Sequence, residues 1–240
     1  MNLGLKRYII QKLLKNCFKT TILAVMAGGI YMMNNIKLTA NIAKAAAFTH
    51  NKNFTATNIF STVILSKLFD NFTVCRTDTL PENLPKNVVV YDIGCGKYAI
   101  GNECRKNGVP YASCGLIWRD SGFAILEKLN HGITTFHEDL MNEVFSIIDE
   151  ELFQGIDAVA NGELPLADYP AQIFNISQII DGFNPSWDTP FSAKNTSFLS
   201  AVSLANTIFE NVLKNVISKA NAKEVAIVEQ GIKNSKGNIM

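Results

Sequence analysis

The chain has 240 residues, of which 48% are hydrophobic and 18% are charged, and its formal net charge is +1. This composition excludes an intrinsically disordered chain, which combines low hydrophobicity with high net charge. The near-zero net charge gives no support for a generally basic nucleic-acid-binding protein. The length is sufficient for one large or two small domains with a buried core.

The charge is distributed unevenly. Residues 1–69 carry nine basic and no acidic side chains, so residues 70–240 hold 13 basic and 21 acidic ones, a net charge of −8. We interpret residues 1–45 as a basic leader or signal-like segment. Its apolar run, Thr21–Met33, has 13 residues. A transmembrane helix needs about 20 residues, so no stable membrane anchor is expected.

The number and spacing of the cysteines indicate the cellular compartment. The chain has five, none in Cys-x-x-Cys spacing, which argues against a zinc ribbon and against a disulfide framework. We therefore expect an intracellular protein, either cytoplasmic or mitochondrial. Secretion through the basic leader is the alternative.

The first half of the chain alternates strand and helix patterns. Strands are predicted at Ala45–His50, Phe72–Arg76 and Val88–Ile93, and a helix at Thr55–Phe69. Val88–Ile93 is a continuous apolar run, the pattern of a strand buried on both faces of a parallel sheet. This order predicts an α/β fold with a mainly parallel sheet flanked by helices.

The second half is predicted to be helical. Tyr111–Trp118 is apolar with small residues and is expected to begin a helix. Glu138–Gln154 and Phe198–Lys219 have apolar residues at helical spacing along one face, which is typical of helices packed on a core.

A glycine-rich turn, Tyr91–Gly96, directly follows the third predicted strand. It resembles the first motif of S-adenosylmethionine-dependent methyltransferases, in which the backbone approaches the ligand closely. That function requires a helix next, whereas Gly101–Gly108 is turn-like. A methyltransferase is therefore the less favoured alternative.

Four stretches in chain order give a more specific signal. Phe48–Phe54 matches most of the pattern F-T-H-N-G-x-F, which continues H-A-D-[DE], and Arg105–Trp118 resembles R-x-N-G-[IV]-P-Y-A-x-x-G-L-[IL]-W. Ile156–Gly162 resembles I-D-A-x-D-N-G, and Phe183–Asp188 resembles F-N-P-x-W-[DN]. Together they resemble the melanocyte-proliferating-gene (MYG) exonuclease family, whose members are related to DHH phosphoesterases.

The resemblance implies a DHH-like α/β fold with a divalent-metal site, Mn²⁺, at the carboxyl ends of the strands. It also implies 3′–5′ exonuclease activity, with nucleic acid or a nucleotide as the partner. Two metal ions would orient a water and stabilise charge on the attacked phosphate. By the same resemblance, residues 46–182 form the α/β domain, and residues 183–240 are the helical start of an incomplete C-terminal portion.

The chain departs from the family pattern at the metal ligands. His50 and Asp92 are kept, but other ligand positions have changed, namely Thr55, Thr57, residues 99–102 and Ala160, with Asn58 at a further acidic position. One imidazole and one carboxylate are too few for a two-metal site. We therefore expect a pseudoenzyme with His50 and Asp92 as vestigial metal ligands, or a non-catalytic interaction scaffold.

The retained residues also have local interpretations. His50 could simply be a polar residue at the end of a strand, and Asp92 could cap the glycine-rich turn. Arg105 is the candidate for substrate binding, because a guanidinium matches phosphate geometry. The alternative for Arg105 is a solvated surface arginine.

Overall fold

A parallel sheet with helices packed against it forms the fold in the computed structural model, which describes residues 36–94, 97–98, 103–130, 138–163, 175–186 and 188–237. The sheet has four strands in the order β1-β3-β2-β4, all parallel, and these are β1 (Ile36–Leu38), β2 (Ala47–Thr49), β3 (Phe72–Arg76) and β4 (Val89–Val90). The predicted α/β class is confirmed.

Strand β1 lies within the segment that the sequence assigns to the leader. Ile36 pairs with Phe72 and Leu38 with Val74, so residues 36–38 extend the sheet along β3. The sequence gives little indication of this strand, because three residues are too few to show a period-2 pattern.

Strand β4 is shorter and less buried than predicted. The predicted strand Val88–Ile93 is reduced to two half-buried residues, which among the described residues pair with β2 at the edge of the sheet. The apolar side chains of Val88, Val90 and Ile93 instead pack on a small cluster around Phe48 and Cys75. Both faces of β4 contact apolar side chains, since Val89 packs against the larger hydrophobic core and Val90 against this cluster, but the strand itself is only half-buried.

The described residues include six α-helices. Their bounds are α1 (Ala56–Leu68), α2 (Ser113–Asn130), α3 (Glu138–Ile148), α4 (Gln154–Ala160), α5 (Ile176–Asp181) and α6 (Phe191–Gly237). A 3₁₀ turn covers Ile42–Lys44, and a π-helical turn, Asp149–Phe153, joins α3 to α4. The predicted helices Thr55–Phe69, Glu138–Gln154 and Phe198–Lys219 are all present, the second interrupted by the π turn.

Helix α1 is the centre of the fold. Twelve of its 13 residues are buried, and it packs against α2, α6 and the sheet. Thr55 caps its N-terminus, since the Thr55 hydroxyl accepts a hydrogen bond from the backbone of Asn58. Because no face of α1 meets water, its polar residues must find partners inside the protein.

One hydrophobic core joins the sheet to the C-terminal helix. Trp118 of α2 contacts Phe153 at 5.3 Å and Phe209 of α6 at 5.9 Å, measured between ring centroids. The same core includes Phe60 of α1 and Ile180 of α5. The predicted domain boundary lies between residues 182 and 183, and residues on both sides of it share this core.

Within the described ranges, no helix has the length and apolarity needed to span a bilayer. The apolar run Thr21–Met33 lies outside the described residues. The intracellular compartment stays a prediction.

A buried ion pair fixes the end of α1 to α6. The Lys67 side chain is 4% exposed, and its ammonium donates to Glu210 at 2.7 Å and to Asn206 at 2.5 Å. Burial lowers the pKa of Lys67, and the bond to Glu210 opposes this shift. The carboxylate therefore favours the charged form of the buried ammonium.

We predict that Lys67→Ala lowers the free energy of unfolding by about 3 kcal/mol, since it leaves Glu210 and Asn206 without their cation. Urea denaturation measures this change. The matched control is Lys128→Ala, which removes an exposed pair with Asp70 and should leave the midpoint unchanged. Equal effects of the two substitutions would contradict the prediction.

Candidate functional site at the carboxyl edge of the sheet

The carboxyl ends of three strands bring the candidate residues together. His50 directly follows β2, Arg76 is the last residue of β3, and Asp92 comes two residues after β4. The N-terminus of α1 lies at the same edge, because α1 begins six residues after His50. In open parallel sheets, this edge is where ligands bind.

Asp92 is half-buried and held by hydroxyl groups. Ser113 donates to Oδ1, Thr57 donates to Oδ2 at 3.3 Å, and Asn58 adds a further hydrogen bond. The backbone of Asp92 has φ +55°, a left-handed conformation that Asp tolerates better than most residues. Burial raises the pKa of Asp92, and the hydrogen bonds from Ser113 and Thr57 oppose this shift.

Two positions at which the resemblance implies metal ligands lie beside Asp92, one in contact with its carboxylate and one through a further hydroxyl. Thr57 contacts the Asp92 carboxylate directly, and the Thr55 hydroxyl lies 2.9 Å from that of Thr57. The Ser113 hydroxyl also lies 2.6 Å from the carbonyl oxygen of Tyr98. The tertiary structure therefore places Thr57 and Thr55 where the resemblance predicts ligands, with neutral hydroxyls in place of charged or imidazole donors.

His50 lies close enough to Asp92 for the two to interact electrostatically. Its Nδ1 atom is buried and has no hydrogen-bond partner among the described residues. Burial lowers the pKa of His50, although Asp92 opposes the shift. The imidazole is therefore favoured in its neutral form near neutral pH.

The donors around Asp92 do not fit a two-metal centre. Across the described parts of the chain, no three His, Cys, Asp or Glu side chains are grouped so that they could hold a metal ion. Residues 99–102, the expected D-H-H segment, lie outside the described residues, and Ala160 ends α4 with a methyl side chain. Binding of Mn²⁺ stays a prediction that rests on the resemblance.

Arg105 is buried rather than solvated. Its side chain is 5% exposed and pairs with two carboxylates: Nε and one Nη donate to Asp149 at 2.6 Å, and the same Nη donates to Asp157 at 2.8 Å. Burial acts to lower the pKa of Arg105, but the bonds to Asp149 and Asp157 raise it overall. Phosphate binding by Arg105 stays a prediction, and it would require the phosphate to displace a carboxylate.

Asp157 is the structural partner that sequence reasoning did not single out. It is fully buried in α4 and accepts hydrogen bonds from the Cys114 thiol and the Gly115 backbone at the start of α2. Asn161, which directly follows α4, donates to the carbonyl of Tyr111, which lies just before α2. This bond adds a second contact between the two helices. The signal in the sequence was that Asp157 is itself the first Asp of the I-D-A-x-D-N-G pattern, three positions before Ala160.

The other family stretches are joined in a similar way. The Asn184 side chain pairs with the backbone of Phe54, accepting from its N–H at 2.9 Å and donating to its carbonyl at 2.8 Å. This contact connects the first stretch to the last across 130 residues. The four stretches therefore meet in pairs in the folded chain.

A comparison with protein families agrees with this arrangement. The MYG1 exonuclease family model, described as an uncharacterised protein family (UPF0160), matches residues 46–240. The chain belongs to this family. In the corresponding comparisons, no curated protein and no solved structure matches the chain.

Family membership confirms the resemblance drawn from the four stretches. The match begins one residue before β2 and covers the whole candidate site. In this MYG1-family chain, Thr57 and Ser113 both contact the Asp92 carboxylate.

We predict that Gly115→Ala destabilises the protein by about 3 kcal/mol or more, because the added methyl group would overlap the Asp157 carboxylate and crowd Arg105. Gly155→Ala is the matched control: a methyl group there meets no atom within 4 Å. In helix α4 it should stabilise the protein by about 0.5–1 kcal/mol. Urea denaturation of both variants measures the difference, and a neutral Gly115→Ala would contradict the close packing described.

Proposed function

We propose that this chain is a non-hydrolytic member of the MYG1 exonuclease family, a pseudoenzyme that keeps the scaffold and has lost the two-metal chemistry. The observation that carries the proposal is the contact of the Thr57 hydroxyl with the Asp92 carboxylate. Thr57 stands where the family pattern has an acid, so a hydrogen-bond donor replaces a second carboxylate at that point.

The chemical consequence is a change in what Asp92 can bind. Two neighbouring carboxylates repel each other and are stabilised by a divalent cation between them. A carboxylate surrounded by hydroxyl and amide donors has its charge satisfied by hydrogen bonds and needs no cation. Ser113, Thr57 and Asn58 provide those donors here.

The scaffold, in contrast, is held by contacts that do not depend on a metal. Arg105 pairs with Asp157, and Asn184 pairs with the backbone of Phe54. These contacts fix the shape of the sheet edge and of the helices around it. They support a protein that retains binding or scaffolding without cleavage.

The proposal predicts that the full-length chain does not cleave a single-stranded RNA or DNA oligomer above background with millimolar Mn²⁺, because one carboxylate and one imidazole cannot hold two metal ions. Gel analysis of a 5′-labelled oligomer over several hours measures this. Turnover that requires Mn²⁺ and that is abolished by His50→Ala would overturn the proposal.

A gain-of-ligand variant provides the matched control for metal binding. Thr57→Asp places a second carboxylate beside Asp92, and isothermal titration calorimetry should then detect Mn²⁺ binding that is at least tenfold tighter than to the unaltered chain. Tight Mn²⁺ binding by the unaltered chain, with no gain in Thr57→Asp, would count against the proposed loss of the site.

A stability measurement tests the role of Asp92 separately. If Asp92 acts as a hydrogen-bond acceptor, Asp92→Asn keeps an acceptor for Ser113 and tolerates the positive φ, so the free energy of unfolding should change by less than about 1 kcal/mol. Asp92→Ala leaves Ser113 and Thr57 without their acceptor and should cost about 1–3 kcal/mol. Equal losses in the two variants would contradict this role.

A further inference from the structure

The two faces of the sheet are covered differently. Ala47 and Val74 lie in the large core together with residues of α1, α2 and α6. Phe48, Cys75 and Val90 point to the opposite face, since neighbouring side chains of a strand alternate, and they form a separate apolar cluster. Among the described residues, no α-helix contributes to that cluster. We call the side of the sheet that carries it the second face.

Two loops cross the second face. Residues 39–46 join β1 to β2 and place Ala45 in the cluster, and residues 77–88 join β3 to β4 and place Leu80 and Val88 there. Four of the seven side chains in the cluster are nevertheless only half-buried. Parallel sheets are normally covered on both faces. The described residues therefore leave the second face incompletely covered.

Each of the two loops exposes one large apolar side chain. Ile42 is 44% exposed, and its carbonyl accepts a hydrogen bond from the backbone of Ala45 in the cluster. Leu84 is 39% exposed and lies midway between Leu80 and Val88, which both pack on the cluster. Exposed apolar groups around a half-buried cluster are typical of a surface that binds another segment.

A candidate segment is attached directly to this sheet. Residues 1–35 lie outside the described residues, and they contain the apolar run Thr21–Met33. Two residues separate this run from Ile36, the first residue of β1. An apolar run of 13 residues is too short to cross a bilayer, and it is typical of a helix buried in a core or of a signal peptide.

The position of β1 favours the buried segment over a removed signal peptide. Cleavage after Ala45 would take Ile36–Leu38 out of the sheet, where this strand pairs with β3. It would also take the buried Ala45 out of the cluster on the second face. Residues 36–45 therefore belong to the folded domain, and the apolar run stays attached to the edge of the sheet.

The length of the run fits the second face. The three steps from Met33 to Ile36 extend at most about 10 Å, and β3 and β2 lie about 5 and 10 Å from β1. Thirteen residues are about 20 Å long as a helix, whereas four strands span about 15 Å. The run is thus close enough to reach the cluster and long enough to cross it.

Charge also favours this segment. Residues 1–20 carry five basic side chains and no acidic one. The loop 77–88 carries two exposed acids, Asp78 and Glu82, against one lysine, Lys86. Neither acid takes part in an ion pair within the described ranges. The basic residues before the run and the acids on the loop are therefore complementary.

We propose that the apolar run Thr21–Met33 packs on the second face of the sheet, between Ile42 and Leu84, as a permanent part of the domain. The basic residues that precede it then lie near Asp78 and Glu82. The chain keeps this segment instead of losing it as a targeting sequence. The inference goes beyond the proposed function and does not depend on it.

Site-specific photo-cross-linking of the full-length chain tests the proposal. Benzoylphenylalanine replaces Ile42 in one variant and Leu84 in another. After irradiation, trypsin releases the apolar run in one peptide, residues 20–37, because Lys19 and Lys37 flank it. We expect both probes to cross-link to this peptide at the mass of a monomer, as measured by electrophoresis and mass spectrometry.

Phe123→benzoylphenylalanine is the matched control. Phe123 is 36% exposed on α2, a helix of the opposite face, so this probe should give no cross-link to residues 20–37. A second pair of variants carries the probe at Leu84. Val25→Asp places a carboxylate in the run and should lower the cross-link yield roughly tenfold, because burying an unpaired charge is costly. Asn34→Asp lies outside the run and should leave the yield unchanged.

Three outcomes overturn the proposal. The first is the absence of any cross-link from Ile42 and Leu84 to residues 20–37, including the case in which another segment of the chain is captured. The second is a cross-link at the mass of a dimer, which identifies a second copy as the occupant. The third is a yield that Val25→Asp and Asn34→Asp leave equally high, since a specific apolar contact cannot tolerate the carboxylate.

Discussion

The burial of helix α1 on all sides is the constraint on which the rest of the structure depends. Twelve of its 13 residues are inside the protein, so each polar group on the helix must bond to a neighbouring element. At its N-terminus this need joins Thr57 and Asn58 to Asp92. At its C-terminus it joins Lys67 to Glu210 of α6. The helix thereby connects the candidate site to the C-terminal helix.

The same constraint explains why a threonine suits position 57. An uncompensated carboxylate at Thr57 would be buried beside Asp92, where two negative charges repel strongly in a low dielectric. A threonine hydroxyl removes one charge and donates to the other. A threonine at this position therefore lets the protein hold its fold without a cation there.

The four family stretches make contacts that stabilise the scaffold. Arg105 and Gly115 from the second stretch meet Asp157 from the third, and Gly115 is required there because a methyl group would overlap the carboxylate. Asn184 from the fourth stretch bonds the backbone of Phe54 from the first. The four stretches therefore stabilise the packing of the fold in this chain.

The sequence by itself determined the α/β class, the family and the main helices, because these depend on apolar periodicity and on ordered motifs that are read locally. It also identified His50 and Asp92 at one sheet edge, since parallel strands end together. Only the tertiary structure decided that β4 is a short edge strand, that Arg105 is buried between Asp149 and Asp157, and that Thr57 bonds Asp92. Those outcomes depend on contacts between residues 35 or more positions apart. Such contacts are set by how the elements pack, and no local pattern in the chain records them.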